Sequence, residues 1–268
     1  MNSASAALLS PVACIGRTTL SLVAELGGLF IFLSQGLLQS VIPPLQWRKT
    51  VQQVYFIGVK SVYVIALIGL FTGMVLGLQG YYTLVKFGSE GLLGAAVSLS
   101  IIRELGPVLT AIMLTGRAGS SMAAEIGIMR ISEQIDALIT MDINPMRFLI
   151  APRLVASLLC FPLLTALFDV IGILGGYLTG VILLGINPGV YFDRIDAAVE
   201  LTDVTGGFVK SLFFALLVAA ICCYEGYFTH TRPGGFGAKG VSLATTAAVV
   251  LSCVTILVAD YVLTSFLL

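Results

Sequence analysis

The sequence predicts an all-α integral membrane protein with five transmembrane helices preceded by an interfacial helix. Of its 268 residues, 58% are hydrophobic and only 10% are charged, whereas soluble domains carry about 25% charged residues. So few charges cannot cover a water-facing surface, so lipid must cover most of it. The apolar residues also fall into long runs, and one transmembrane helix needs roughly 20 of them. A single amphipathic stretch interrupts these runs, between the second and the third.

The first apolar stretch, residues 18–42, differs from the later ones because polar residues recur along it. Pro43-Pro44 follows it, and then Trp47, Arg48 and Lys49. Aromatic and basic residues of this kind anchor helices at the membrane surface. We therefore favour an interfacial helix, with a first spanning helix as the alternative. The chain accordingly divides into an N-terminal segment, 1–50, and a transmembrane domain, 51–268.

Polar turns separate the five predicted spans, which cover residues 51–85, 92–115, 154–185, 207–228 and 241–268. Glycine recurs at every fourth position in the first and third of them: Gly69, Gly73 and Gly77, then Gly172, Gly176 and Gly180. Glycines at this spacing lie on one helix face and let another backbone approach closely. We expect a tight crossing within the chain, with a seam between two copies as the alternative.

Residues 124–141 place apolar and charged side chains at helical spacing, which predicts an amphipathic helix and not a span. Asp142 and Asn144-Pro145 end it. One interpretation is a helix resting on the membrane surface. We favour a cytoplasmic coupling helix that docks onto a partner, because membrane-bound helices are more usually rich in Lys and Arg.

The distribution of Lys and Arg predicts the orientation, since these residues collect on the cytoplasmic side. One side of the five-span arrangement carries Arg48, Lys49, Arg130, Arg147, Arg153, Arg232 and Lys239. The other side carries Lys86, Arg194 and Lys210, near or within an acidic loop at 190–205. The amphipathic helix and the loop at 230–240 are thus expected in the cytoplasm, and the C-terminus outside.

Several kinds of chemistry are excluded by what the sequence lacks. The one histidine, His230, leaves no zinc-binding H-E-x-x-H motif. GGFGAKG, residues 234–240, resembles a phosphate loop but has Gly240 where Ser or Thr should bind magnesium. ATP and Mg²⁺, if used, therefore belong to another chain, and no cofactor or metal is expected here. The formal net charge of +0 makes nucleic acid an unexpected partner. Five cysteines are expected as small apolar residues: Cys14, Cys160, Cys222, Cys223 and Cys253.

Charged residues inside the spans are the candidate functional groups, because charge is costly in lipid. Asp169 and Asp260 predict either hydrogen bonds between helices or a polar path, and a paired-aspartate intramembrane enzyme is an alternative. Arg103 and Glu104 form either a local charge pair or a site for a lipid headgroup. The Arg103 guanidinium is suited to bidentate contact with a phosphate.

Four motifs resemble the MlaE family of ABC permeases, which serve MCE-type lipid transport systems. They are GMVLGLQGY (73–81), RELGPV (103–108), GRAGSSMAAEIGIMR (116–130) and DINPMRFLIAPR (142–153). The similarity extends from about residue 50 to the C-terminus. The resemblance implies a permease homodimer in the bacterial inner membrane that moves phospholipid and keeps the outer membrane asymmetric. It also implies five spans preceded by an interfacial helix.

The partners that the resemblance implies are an MlaF-like ATPase, an MlaB-like STAS protein, an MlaD-like MCE hexamer and, indirectly, an MlaC-like periplasmic carrier. An alternative is a non-enzymatic anchor for the MCE assembly. The family's lipid-pocket positions fall on Leu84, Phe87, Arg103 and Glu104. Phe87 stands where a relative has Tyr, which removes a hydroxyl. The implied ATPase-coupling residues are Glu125, Ile126, Met129, Arg130 and Glu133. Asp260 matches a family position, whereas Asp169 has no counterpart and is expected to be structural.

Overall fold

A computed structural model of the chain describes residues 3–42, 46–231 and 236–267, and these ranges fold into helices joined by short turns. Predictions that concern Pro43, Pro44, Arg232 and the side chain of Cys14 lie outside the described residues. Within these described ranges, six helical segments are long and apolar enough to cross a membrane: Val23–Ser40, Trp47–Val85, Glu90–Ile131, Met146–Leu183, Leu201–Tyr227 and Gly237–Leu267. The predicted class, an all-helical multi-pass membrane protein, is therefore confirmed.

The helices are α1 (Ser3–Val41), α2 (Trp47–Ile57), α3 (Val62–Val85), α4 (Leu93–Ser100), α5 (Gly106–Leu114), α6 (Ser120–Ile131), α7 (Gln134–Thr140), α8 (Ala151–Tyr177), α9 (Pro188–Ala198), α10 (Leu201–Tyr227) and α11 (Gly237–Leu267). Wider π-helical turns interrupt the spans at Ile101–Leu105, Thr115–Gly119, Met146–Ile150 and Leu178–Leu183. The second span is thus one continuous helical run from α4 to α6.

Helices α3 and α8 form the most extensive pair in the bundle. Their glycine faces meet, so that a Cβ added at Gly73 would overlap the carbonyl of Gly172. At Gly77 an added Cβ would lie 3.2 Å from the carbonyl oxygen of Gly176. The glycine repeats therefore make a tight crossing within the chain, as predicted.

Helix α10 lies at the centre of the bundle, in contact with α5, α6, α8 and α11. Its buried side is built from Phe214, Val218 and Cys222. Cys160, Cys222 and Cys223 are buried free thiols. These cysteines pack as small apolar side chains, which confirms the prediction for them.

Helix α1 contacts the rest of the chain through its second half. Phe32 is buried against Tyr224, Tyr227 and Phe228 at the end of α10. The Arg147 guanidinium donates to the Ile42 carbonyl, 3.2 Å away. These contacts lie at the end of the bundle that also carries α7. The segment Val23–Ser40 is long enough to cross a membrane, and its interfacial position stays a prediction.

The predicted single amphipathic helix over 124–141 is wrong. Residues up to Ile131 continue the second span, and Ile126 is fully buried against Gly226 of α10. Glu133 then takes a left-handed conformation with φ 59°, which breaks the helix before α7. The small residues Ala123 and Gly127 allow α6 to pack against α10 and its following turn. α7 follows this break as a short separate helix and ends before Asp142, as predicted.

The segment predicted as an acidic loop contains helix α9. Asn187 caps it by accepting a hydrogen bond from the Gly189 amide at 2.8 Å. Tyr191 is buried against α4 and donates to the Ile173 carbonyl at 3.1 Å. Burial raises the pKa of the Tyr191 phenol to about 12. This helix therefore fixes the connection between α8 and α10.

Candidate functional site

A buried lysine on α10 forms the centre of an ionic cluster. The Lys210 side chain is 3% exposed, and its ammonium lies 2.7 Å from Glu104 Oε2 and 3.2 Å from Asp260 Oδ1. It also donates to Thr264 Oγ1 at 2.7 Å. Glu104 belongs to the second span, and Asp260 and Thr264 belong to α11. One cation therefore ties three spans together.

The π-helical turn Ile101–Leu105 places Arg103 and Glu104 in different directions. Arg103 Nε lies 2.7 Å from Asp203 Oδ1 near the start of α10, while Glu104 faces Lys210. The Arg103 carbonyl also accepts from the Lys210 ammonium at 2.9 Å. The two residues are thus not a charge pair with each other. Wide turns of this type often occur at functional sites.

The pairing explains how charge is tolerated within the spans. Two cations, Arg103 and Lys210, face three carboxylates, Glu104, Asp203 and Asp260. Charged side chains in a bilayer are expensive unless they pair with one another. Removing one partner of a buried pair costs about 3–5 kcal/mol, because the other charge is left uncompensated. The cluster is therefore stable only as a unit.

A cavity of about 280 Å³ opens beside this cluster. Its walls combine charged, hydroxyl, glycine and aliphatic residues: Arg103, Glu104, Thr202, Asp203, Thr205, Gly206, Gly207, Val209, Lys210, Thr264 and Leu267. The Arg103 side chain is 42% exposed and the Glu104 side chain 40%. A partly apolar cavity with a few charged groups can orient an amphiphilic ligand by its polar end.

Leu84 and Phe87 do not reach this cavity within one chain. Leu84 lines a separate groove of about 310 Å³ between α3 and α4, together with Leu76, Gln79, Gly80, Thr83, Ala96, Val97 and Ser100. The Phe87 ring follows α3 and is 77% exposed. The four residues that the resemblance implied for the lipid pocket are thus brought together only in part, as Arg103 and Glu104.

The two intramembrane aspartates occupy different surroundings. Asp260 belongs to the ionic cluster through Lys210. Asp169, on α8, lies against Gly106, where an added Cβ would overlap Asp169 Oδ1. Sequence reasoning missed Asp203, Lys210 and Thr264 as members of the site. A lysine at the tenth position of a largely apolar helix is the signal that could have identified Lys210.

The residues implied for ATPase coupling are largely engaged within the chain. Glu125 Oε2 lies 2.9 Å from Arg153, and Arg130 lies 2.8 Å from Asp136 Oδ1. Arg130 also donates to His230 Nδ1 at 3.0 Å. Burial lowers the pKa of His230, and the Arg130 charge lowers it further. Glu133 is exposed, Met129 packs in the cluster around Phe32, and the buried Ile126 is not accessible to a partner.

Several accessible apolar side chains at this end of the bundle lie around α7. Ile128, Ile139 and Met141 are 54%, 52% and 61% exposed. Ile135 and Leu138, on the inward side of α7, are buried against the bundle. Ile139 lies one turn after Ile135 on the same side, so α7 is held by its buried side chains and exposes apolar side chains at the edge of that contact.

The fold and the site define a polytopic helical membrane protein with an ionic cluster beside a cavity within its spans. The family described as permease MlaE matches residues 50–266, and the chain belongs to this permease family.

Relatives cover most of the chain. A probable ABC transporter permease protein of Rickettsia bellii is 40% identical over 257 residues, which is 96% of this chain and 97% of the relative. The intermembrane phospholipid transport system permease protein MlaE of Haemophilus influenzae is 43% identical over 218 residues, 81% of this chain and 82% of that one. The chloroplastic protein TRIGALACTOSYLDIACYLGLYCEROL 1 of Arabidopsis thaliana is 36% identical over 236 residues, 88% of this chain and 66% of that protein.

Proposed function

We propose that this chain is the permease subunit of an ABC-type phospholipid transporter of the bacterial inner membrane. Two copies would form the lipid pocket, and separate MlaF-like subunits would hydrolyse ATP. An MlaB-like protein and a periplasmic MlaD-like MCE hexamer would complete the assembly, with an MlaC-like carrier exchanging lipid with it. The observation that carries this proposal is the Lys210 cluster beside a partly apolar cavity, in a chain 43% identical to a phospholipid transport permease.

The cavity supplies the two kinds of surface that a phospholipid needs. The partly exposed Arg103 guanidinium would contact the phosphate of the headgroup. Val209 and Leu267 would contact the acyl chains. In the proposed homodimer, the groove beside Leu84 would extend the acyl-chain region, and Phe87 would lie at its outer end. The pocket would face the periplasm, because the cluster lies near the start of α10 and the end of α11.

A substitution that fills the cavity tests this proposal. Gly206 lines the cavity, and an added Cβ there would meet no atom within 4 Å. We expect Gly206→Trp to lower the phospholipid that co-purifies with the full complex and to abolish lipid transfer to the carrier. Gly116→Trp is the control, because Gly116 is exposed, also open, and outside the cavity. Equal phospholipid in both variants and the native chain would show that the cavity does not hold the lipid.

ATP binding and hydrolysis on the partner would be coupled to the bundle through α7. An ATPase groove would receive the exposed residues Glu133, Ile139 and Met141, together with Ile128 at the end of α6. In this proposal α7 and Glu133 contact the ATPase. Glu125 and Arg130 instead hold the surrounding turns in place, Glu125 through Arg153 and Arg130 through Asp136 and His230. Closing of the two ATPases would then press on α7 and compress the lipid pocket.

The alternative of an intramembrane aspartate enzyme is not favoured by the geometry. Asp260 is bound by the Lys210 ammonium, which is unlike two carboxylates that share a proton. Asp169 instead lies against Gly106, where an added Cβ would overlap its Oδ1. The alternative of a passive MCE anchor gives no role to a charged cavity. The Gly206→Trp experiment distinguishes the two functions, because filling the cavity should abolish lipid transfer by a permease but should not affect an anchor.

A further inference from the structure

A second cavity, of about 180 Å³, lies at the opposite end of the bundle from the Lys210 cluster. It is lined by residues of α2 and by the start of α8: Lys49, Gln52, Gln53, Phe148, Leu149, Pro152 and Arg153. Lys49, Gln52 and Gln53 share one face of α2, because residues three and four apart are neighbours on a helix. The two cavities share no residue, so this one is a separate feature of the fold.

Lys49 brings a positive charge to this cavity without a balancing carboxylate. Its ammonium lies over the face of the Phe148 ring, an arrangement that favours a cation. Within residues 3–42, 46–231 and 236–267, the ion pairs involve other cations: Arg103, Arg130, Arg153 and Lys210. The Lys49 charge is thus available to a ligand.

Arg153 brings a second positive charge and a spare donor. The residue is 5% exposed. Its two terminal nitrogens donate hydrogen bonds, one to the Leu149 carbonyl at 2.8 Å and one to Glu125 Oε2 at 2.9 Å. Its Nε is buried and has no hydrogen-bond partner in the part of the chain that the structure describes. An unsatisfied buried donor is destabilising, and an acceptor in the cavity would satisfy it.

Gln53 adds a polar group that a ligand could also satisfy. Its Oε1 is buried and has no hydrogen-bond partner among the described residues. This oxygen can accept from a hydroxyl, and rotation of the amide would instead present two N–H donors. The cavity therefore combines two cations with the amides of Gln52 and Gln53, and the carboxylate that pairs with Arg153, Glu125, is not among its lining residues.

From this combination we propose that the cavity binds a phosphate group through Lys49, Arg153 Nε and Gln53. A phosphate offers several acceptor oxygens and negative charge, and would lie between two cations that otherwise repel each other. Trp47, two residues before Lys49 at the start of α2 and 68% exposed, is of a residue type enriched at the headgroup level of a membrane. The phosphate would belong to a phospholipid headgroup or to free inorganic phosphate, and the basic residues place the site on the cytoplasmic side. The proposal does not depend on the transport function proposed above.

Ligand-dependent melting of the full chain in an uncharged detergent tests the proposal. The probes are dihexanoyl phosphatidylglycerol, inorganic phosphate, and chloride at the same ionic strength. We expect at least one phosphate probe to raise the melting temperature, and Lys49→Gln to require about tenfold more of it, which corresponds to about 1.4 kcal/mol. Lys60→Gln is the matched control, because Lys60 is an exposed lysine over the Tyr55 and Phe56 rings, outside the cavity.

The two probes separate the possible sources of the phosphate. Stabilisation by phosphatidylglycerol alone identifies a headgroup site, whereas stabilisation by inorganic phosphate as well identifies a general phosphate site. The measurement is repeated with Gly206→Trp, so that lipid bound at the Lys210 cavity does not contribute. If neither probe stabilises the chain more than chloride does, or if Lys49→Gln responds like Lys60→Gln, the proposal is overturned.

Discussion

The most consequential single side chain in this protein is Lys210. It is buried, it pairs with both Glu104 and Asp260, and it donates a hydrogen bond to Thr264 Oγ1. The ammonium reaches its partners because Lys210 projects from the central helix α10 toward the second span and α11. Since charged side chains within a bilayer are costly unless paired, this one cation stabilises both carboxylates.

Replacing Lys210 with methionine should destabilise the chain strongly. The change leaves Glu104 and Asp260 uncompensated, at a cost of about 3–5 kcal/mol. With a shift of roughly 2–4 °C per kcal/mol for proteins of this size, the melting temperature should fall by about 6–20 °C. Thermal unfolding of the purified full chain in detergent measures this.

Two further variants make the Lys210 experiment specific. Lys86→Met removes an exposed lysine after α3 and should leave the melting temperature nearly unchanged. Lys210→Met combined with Asp260→Asn should recover part of the loss, because one unpaired carboxylate is removed. A double variant as unstable as the single one would show that the Asp260 charge is not what Lys210 compensates.

Helices meet closely in this bundle where glycine replaces larger side chains. The α3–α8 crossing brings Gly73 against the Gly172 carbonyl, which leaves no room for even a methyl group. In the second span, the wide turns at Ile101–Leu105 and Thr115–Gly119 change which side chains face the centre. Regular helical spacing alone would therefore place Arg103 and Glu104 incorrectly.

Gly73→Ala should force α3 and α8 apart. Overpacking of this kind costs about 1–3 kcal/mol, so the melting temperature of the full chain should fall. Gly116→Ala is the control, since an added Cβ there meets nothing within 4 Å, and alanine favours a helix over glycine. If the two variants melt at the same temperature, the crossing is less tight than the structure indicates.

Ile139→Asp on α7 should impair coupling without unfolding the bundle. The side chain is 52% exposed, so the melting temperature of the isolated chain should stay nearly unchanged. In the assembled complex, ATPase binding and lipid transfer should both fall. The contrasting variant is Ile135→Asp, which places charge at a fully buried position and should unfold this end of the chain. Normal transport by the Ile139→Asp complex would contradict the proposed role of α7.

At the scale of the whole molecule, the position of α1, across the bilayer or at its surface, sets the number of spans. Val23–Ser40 meets the length and composition of a span. Its contacts through Phe32, however, are with the ends of other helices, beside α7. Five spans preceded by an interfacial α1 therefore stay a prediction, and this arrangement would place the two ends of the chain on opposite sides of the membrane.

Reporter fusions test this topology. A green fluorescent protein fused to the N-terminus should fluoresce, because it should lie in the cytoplasm. Alkaline phosphatase fused to the C-terminus should be active, because it should lie in the periplasm. An active phosphatase at the N-terminus as well would mean that α1 spans the membrane, and activity at the N-terminus alone would reverse the whole orientation.

Composition and local pattern were enough to predict the class of protein and most of the spans. Long apolar runs are visible in the sequence because each span needs about 20 apolar residues whatever its neighbours are. The glycine repeats likewise predicted a close crossing, because residues four apart share a helix face. The motifs over residues 73–153 identified the family by resemblance, which the match over residues 50–266 confirms.

The tertiary structure decided which residues meet. Lys210 and Glu104 are 106 residues apart in the chain, and no local pattern pairs them. Ile126 follows the spacing of an amphipathic helix, yet α10 buries it, and a left-handed Glu133 ends the helix seven residues later. A periodic sequence shows that a helix has two faces. Which face is covered, and which charge finds a partner, depends on how distant helices pack.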